Sequence, residues 1–111
     1  MDGIGLYKAL QDALNDLNQL IRDVRASGGA YAEAERDYRI AKAKKILQLR
    51  EEGFPVTITQ DVAMGCDEVS ALRFDRDCAE IVYKSDLEAI NAKKLVIRVL
   101  ESEIDRQARG A

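Results

Sequence analysis

The stretch Glu51-Glu52-Gly53-Phe54-Pro55 divides the chain into two long segments with helical patterning. Gly53 suits a left-handed cap at a helix C-terminus, and Pro55 just beyond it cannot continue a helix. Upstream, Leu6, Leu10, Ala13, Leu17, Leu20 and Val24 step by four and three, a heptad stripe. Gly28-Gly29 interrupts this stripe, and glycine costs a helix interior roughly 1 kcal/mol relative to alanine. The phase nevertheless survives the pair. Leu10, Leu17, Val24, Tyr31 and Tyr38 remain seven apart, with Leu6, Ala13, Leu20, Ser27, Ala34, Ala41 and Gln48 as the companion column. A true turn has no reason to keep a phase. The pattern favours one helix over 4–52, bent or weakened at 28–29, with two helices broken at 27–29 as the alternative.

Downstream, residues 53–66 form the connector. Val56-Thr57-Ile58-Thr59 is β-branched and locally strand-like. Thr57 and Gln60 have capping-box spacing, which allows a short helical turn through Met64, closed by Gly65. Asp67 is a good N-cap for a last helix over 67–108. Val69, Arg76, Tyr83, Ile90, Ile97 and Ile104 are spaced by seven there. Leu72, Ala79, Asp86, Lys93 and Leu100 form the second column. The expected fold is all-α: a long antiparallel two-helix hairpin, coiled-coil-like, in one domain over 1–111.

Composition agrees. Ala, Glu, Lys, Leu and Arg make up 52 of the 111 residues, with one Pro, the signature of long helices. Charge is segregated although the net value is only −3. Residues 36–50 hold six basic groups and one acid, whereas residues 51–80 hold eight acids and two basic groups. A fold-back near residue 60 would place position i opposite about 119 − i. Lys42, Lys44 and Lys45 would then face Asp75, Asp77 and Glu80, and Tyr83 would face Tyr38. Beside the seam, Leu14, Ile21, Ile40, Leu47, Val82, Ala89 and Val96 add apolar surface. Left exposed, that surface calls for a partner. It implies a homo-oligomer, a dimer forming a four-helix bundle, or a stripe reserved for another protein.

Most chemistries are discarded at this level. The chain has no His, the commonest general base and metal ligand. Cys66 and Cys78 are too few and too far apart for a zinc site or disulfide scaffold, and read as reduced thiols of a cytoplasmic protein. A nucleophilic Cys66 would need an activating base, and with no His a Cys–His arrangement is excluded. The i, i+4 pairs Asp12/Asp16 and Glu33/Asp37 read as solvated faces rather than metal sites. No apolar run approaches the ~18 residues of a membrane span, and the pattern of Met1 to Leu10 leads us to expect no secretory leader. Phosphate loops and dinucleotide fingerprints are absent from the sequence. The expectation is a non-enzyme with no metal and no cofactor.

Two binding surfaces remain. The connector is the irregular segment, where function tends to sit. Its Phe54, Val56, Ile58, Val62 and Met64 form a candidate apolar docking tip for a protein partner. The run Thr59–Gly65 has a superficial likeness to helix-turn-helix, but the following helix is too long and opens acidic. The basic stretch Arg36, Arg39, Lys42, Lys44, Lys45 and Arg50 could instead contact phosphates of a nucleic acid. It lacks the interleaved aromatics of a single-strand platform. Tyr31, Tyr38 and Tyr83 are read as an aromatic layer in the seam, with a small-molecule or base-stacking site as the alternative.

Particular wording carries a resemblance. It lies in Tyr31-Ala32-Glu33-Ala34-Glu35-Arg36-Asp37-Tyr38-Arg39-Ile40-Ala41-Lys42-Ala43-Lys44-Lys45-Ile46-Leu47, in Leu49-Arg50-Glu51-Glu52-Gly53-Phe54-Pro55-Val56-Thr57, in Ala79-Glu80-Ile81-Val82-Tyr83 and in Glu88-Ala89-Ile90-Asn91. Over residues 31–105 the chain resembles small uncharacterised helical proteins of phages and prophages of Gram-positive bacteria. The first 30 residues add nothing to it. The resemblance assigns no residue a role. It implies a bacterial host cytoplasm and a protein-binding module that modulates a host or phage complex, such as a host-defence (anti-CRISPR-like) inhibitor. A nucleic-acid-binding accessory of phage recombination or replication, and a structural coiled-coil assembly element, are the alternatives.

Overall fold

A computed structural model describes residues 2–110; the single-domain span of 1–111 extends one residue beyond this at each end. The protein is an all-α hairpin of three helices, α1 (Gly3–Glu51), α2 (Val56–Gly65) and α3 (Asp67–Gly110), in which long α1 packs against long α3. No strand occurs among the described residues. The chain divides into two compact units. One joins the stretch ending at Ala26 to the stretch beginning at Lys84, and the other is Ser27–Tyr83.

In the first unit, Asp2 caps α1. Its Oδ1 accepts the Gly5 N–H at 2.6 Å, satisfying one of the first turn's free donors. Leu6 and Ala13 of α1, with Ile90 and Ile97 of α3, are buried. These are heptad positions of the two sequences. Lys93 stands in an α3 seam column, and its Nζ donates to Asp16 of α1 at 3.3 Å.

In the second unit, α1 runs through Gly28-Gly29 without interruption. Opposite the pair, a Cβ built on Gly28 would stand 3.1 Å from Cε1 of Tyr83. Gly28 is small because an aromatic ring approaches the helix there. Gly29 meets nothing within 4 Å.

α1 ends as Gly53 and Pro55 require. Gly53 has φ +92°, and the Phe54 N–H reaches the Leu49 carbonyl at 3.0 Å while the Gly53 N–H reaches Arg50 at 3.1 Å. This is the paired hydrogen bonding of a Schellman cap. The strand-like reading of Val56–Thr59 is overturned, because those residues open α2. Nor does Thr57 cap it. Pro55 takes the N-cap position at φ −63°, ψ 146°, with no side-chain capping bond. Its ring fixes φ, and its carbonyl accepts from the Ile58 and Thr59 N–H groups at 3.2 Å, so the helix begins ahead of the threonine. Asp67 likewise lies within the first turn of α3 rather than preceding it, and the Ser70 N–H bonds the Cys66 carbonyl at 2.9 Å.

The register differs from expectation. Glu35 meets Arg76, and Gly28 meets Tyr83, so i lies opposite about 111 − i. The connector is the cause. A symmetric loop would place the reversal at its midpoint, whereas the Schellman cap turns the chain at Gly53 and α2 then runs as a helix of its own. The last two turns of α1 therefore extend past the start of α3. Their buried position is Leu49, at 4% exposure, rather than Gln48 of the heptad column, which is exposed.

Candidate interaction surfaces

The connector tip is built on the cap just described. Arg50 Nη1 donates to the Phe54 carbonyl at 2.8 Å, tying the end of α1 to the turn. Thr59, buried on α2, donates its hydroxyl to the Pro55 carbonyl at 2.6 Å, and Ala63 one turn on is fully buried. These two residues anchor α2 by one face. Of the five tip candidates, Val56 is 69%, Ile58 44% and Val62 36% exposed. Phe54 and Met64 are half-buried. The exposed apolar residues are thus Val56, Ile58 and Val62, of which Ile58 and Val62 share one face of α2 and Val56 lies on another.

No ion pair joins the basic stretch to α3 among the described residues. At the observed register Lys42, Lys44 and Lys45 do not meet Asp75, Asp77 and Glu80. Asp77 accepts from Arg76 at 2.8 Å, and Glu80 accepts from the Tyr31 hydroxyl. Four of the six basic residues have partners close in sequence. Arg36 lies 3.3 Å from Asp37 and 3.9 Å from Glu33, and Arg39 donates to Glu35 at 2.7 Å. Lys42 Nζ sits 5.9 Å from the Tyr38 ring centroid, and Arg50 holds the turn. Lys44 and Lys45 have no carboxylate partner among the described residues. A shallow groove of about 180 Å³ is lined by Asp37, Ile40, Ala41 and Lys44 of α1 with Glu68 and Leu72 of α3.

The tyrosines do form an aromatic layer, but with a different pairing. Tyr83 stacks on Tyr31, with centroids 6.0 Å apart and planes at 29°, rather than on Tyr38. The buried Tyr38 ring carries the Arg76 guanidinium 4.6 Å from its centroid. Arg76 Nη1 also donates to Glu35 at 3.2 Å. Electrostatics follow this geometry. The Glu35 carboxyl is held below its usual range, first by Arg39 and then by Arg76, against the effect of burial. Arg76 is driven still higher, chiefly by Asp77. The Tyr31 phenol is raised above its usual value, first by its bond to Glu80 and then by burial. The stacked rings and paired charges tie α1 to α3 at one register within the unit. The signal for it was a charged residue, Arg76, standing in a seam column.

The other acidic pairs are occupied by cations of the chain. Asp12 pairs with Lys8 and Asp16 with Lys93, each at 3.3 Å. No group of His, Cys, Asp or Glu among the described residues is placed to hold a metal ion. Cys66 is half-buried, Cys78 is exposed, and both are free thiols.

Of the apolar stripe beside the seam, Leu14, Ile40, Leu47, Val82 and Val96 are exposed, whereas Ile21 and Ala89 are half-buried. Sequence reasoning missed a second set on α3. Phe74 and Ile81 are 67% and 68% exposed, and Leu95 and Val99 are 58% and 69%. Their spacing was present in the sequence, but the seam columns drew the reading to the other face. No helix among the described residues is long and apolar enough to cross a membrane.

No protein family, curated protein or solved structure matches this chain.

Proposed function

We propose that the protein is a non-enzymatic binding module of phage type, which modulates a host or phage protein complex by occupying part of its surface. A host-defence inhibitor is the specific form this reading takes. The observation that supports it is the tip: Ile58 and Val62, one turn apart on one face, and Val56 on another, are exposed on a ten-residue helix anchored by Thr59 and Ala63. An apolar group on a fixed helix loses little conformational entropy on docking. Exposed apolar surface commonly marks an interaction site. The basic stretch supports a nucleic-acid reading less well, since four of its six cations are engaged within the chain.

The test is a tagged pull-down from bacterial lysate, with and without nuclease, comparing wild type with Val56→Asp/Ile58→Asp. Both positions face solvent, so the variant should fold. The reading expects one stoichiometric protein that survives nuclease and is lost in the variant. A partner retained by the variant removes the tip from the interface. Recovery that vanishes with nuclease moves function to Lys44 and Lys45.

A further inference from the structure

A surface separate from the tip has two faces of opposite sign. In unit Ser27–Tyr83, Ile40, Ala43 and Leu47 of α1 step by three and four on the side away from buried Tyr38 and Leu49. All three are exposed, Ile40 by 47% and Leu47 by 64%. On α3, Phe74, Cys78 and Ile81 repeat the pattern in reverse order, away from buried Val69, and all three are exposed. The α1 face lies in the basic block and the α3 face in the acidic block. No ion pair joins the two blocks among the described residues. Lys44 lacks a carboxylate partner, and Asp67, Glu68 and Asp75 lack cationic partners, among the described residues.

We propose that these faces meet between copies: the outward face of α1 in one molecule packs antiparallel on the outward face of α3 in a second. One register satisfies both shape and charge. Ile40 lies against Ile81 of the second copy, Ala43 against Cys78 and Leu47 against Phe74, so large residues share layers and the two small ones meet. The same register sets Lys44 beside Asp75 of the second copy. On the other flank Arg39 keeps its own partner, Glu35. The two faces differ, so the contact is heterologous, and each molecule keeps one free face of each kind. Three layers over about two helical turns make an interface at the small end of the range, so assembly rises with concentration and falls with salt.

Two blocked variants test this in analytical ultracentrifugation, with circular dichroism to check folding. Ile40→Asp/Leu47→Asp removes the α1 face and Phe74→Asp/Ile81→Asp removes the α3 face. Wild type should grow in mass with concentration. Each blocked variant should stay monomeric alone. Mixed in equal amounts, they should form a dimer with one of each and go no further. Should a blocked variant lose helicity, the charge pair carries the test instead. Lys44→Asp or Asp75→Lys should each weaken assembly about fivefold, and the double exchange should restore it. A wild type monomeric at every concentration, a blocked variant that still assembles, or a charge exchange without rescue overturns the proposal. None of these outcomes depends on the tip, so the two readings succeed or fail separately.

Discussion

The ring of Tyr83 occupies the space that a side chain at Gly28 would need. The adjoining glycine, Gly29, faces open space. Two neighbouring residues of one type therefore answer to different constraints, one to packing and the other to no contact at all.

Gly29→Ala should stabilise the protein by about 0.5–1 kcal/mol, because alanine restricts the unfolded chain and meets nothing in the folded one. Gly28→Ala should lose that gain, since its Cβ would press on the Tyr83 ring at 3.1 Å. Urea denaturation of the two single variants measures both. A Gly28→Ala variant as stable as Gly29→Ala would mean that the ring moves aside freely.

The pairing of Glu35 with Arg39 and Arg76 should make stability depend on pH on the acid side. Glu35 has a lower pKa folded than unfolded, so the folded state binds fewer protons across that window. Its contribution is present above the ordinary carboxylate value of 4.5 and is lost as pH falls through the depressed folded value. Glu35→Gln should lower the melting temperature at pH 7, and the difference from wild type should shrink as pH drops below about 4. A constant difference across that range would show that the charge of Glu35 is irrelevant.

Gly53 carries the turn. Gly53→Ala places a Cβ at φ +92° and should cost about 1–2 kcal/mol. Because the Phe54 N–H and the Arg50 side chain are tied to the same turn, amide hydrogen exchange should rise first at Gly53 and Phe54. Unchanged protection there would separate the glycine from the cap.

The hairpin could be read from sequence because its determinants are local or periodic. Gly53 and Pro55 end a helix whatever surrounds them, and the α3 columns Val69 to Ile104 and Leu72 to Leu100 are at least half covered in the fold. A heptad stripe states which face of a helix is covered. It does not state what stands opposite, because sliding one helix by a turn or two along another keeps the stripes facing. The register was therefore misjudged by about eight positions, and with it the partners of Lys42, Lys44, Lys45 and Tyr83. The candidate tip divides the same way. Its apolar residues were apparent from their types, but which of them face solvent depended on where α2 starts, and Pro55 rather than Thr57 decided that. Segment type, helix ends and covered faces follow from the backbone chemistry and spacing of the chain alone. Register, the Tyr31–Tyr83 and Arg76–Tyr38 pairs and the exposure of Phe74 and Ile81 are contacts between distant segments, and only packing in three dimensions selects them.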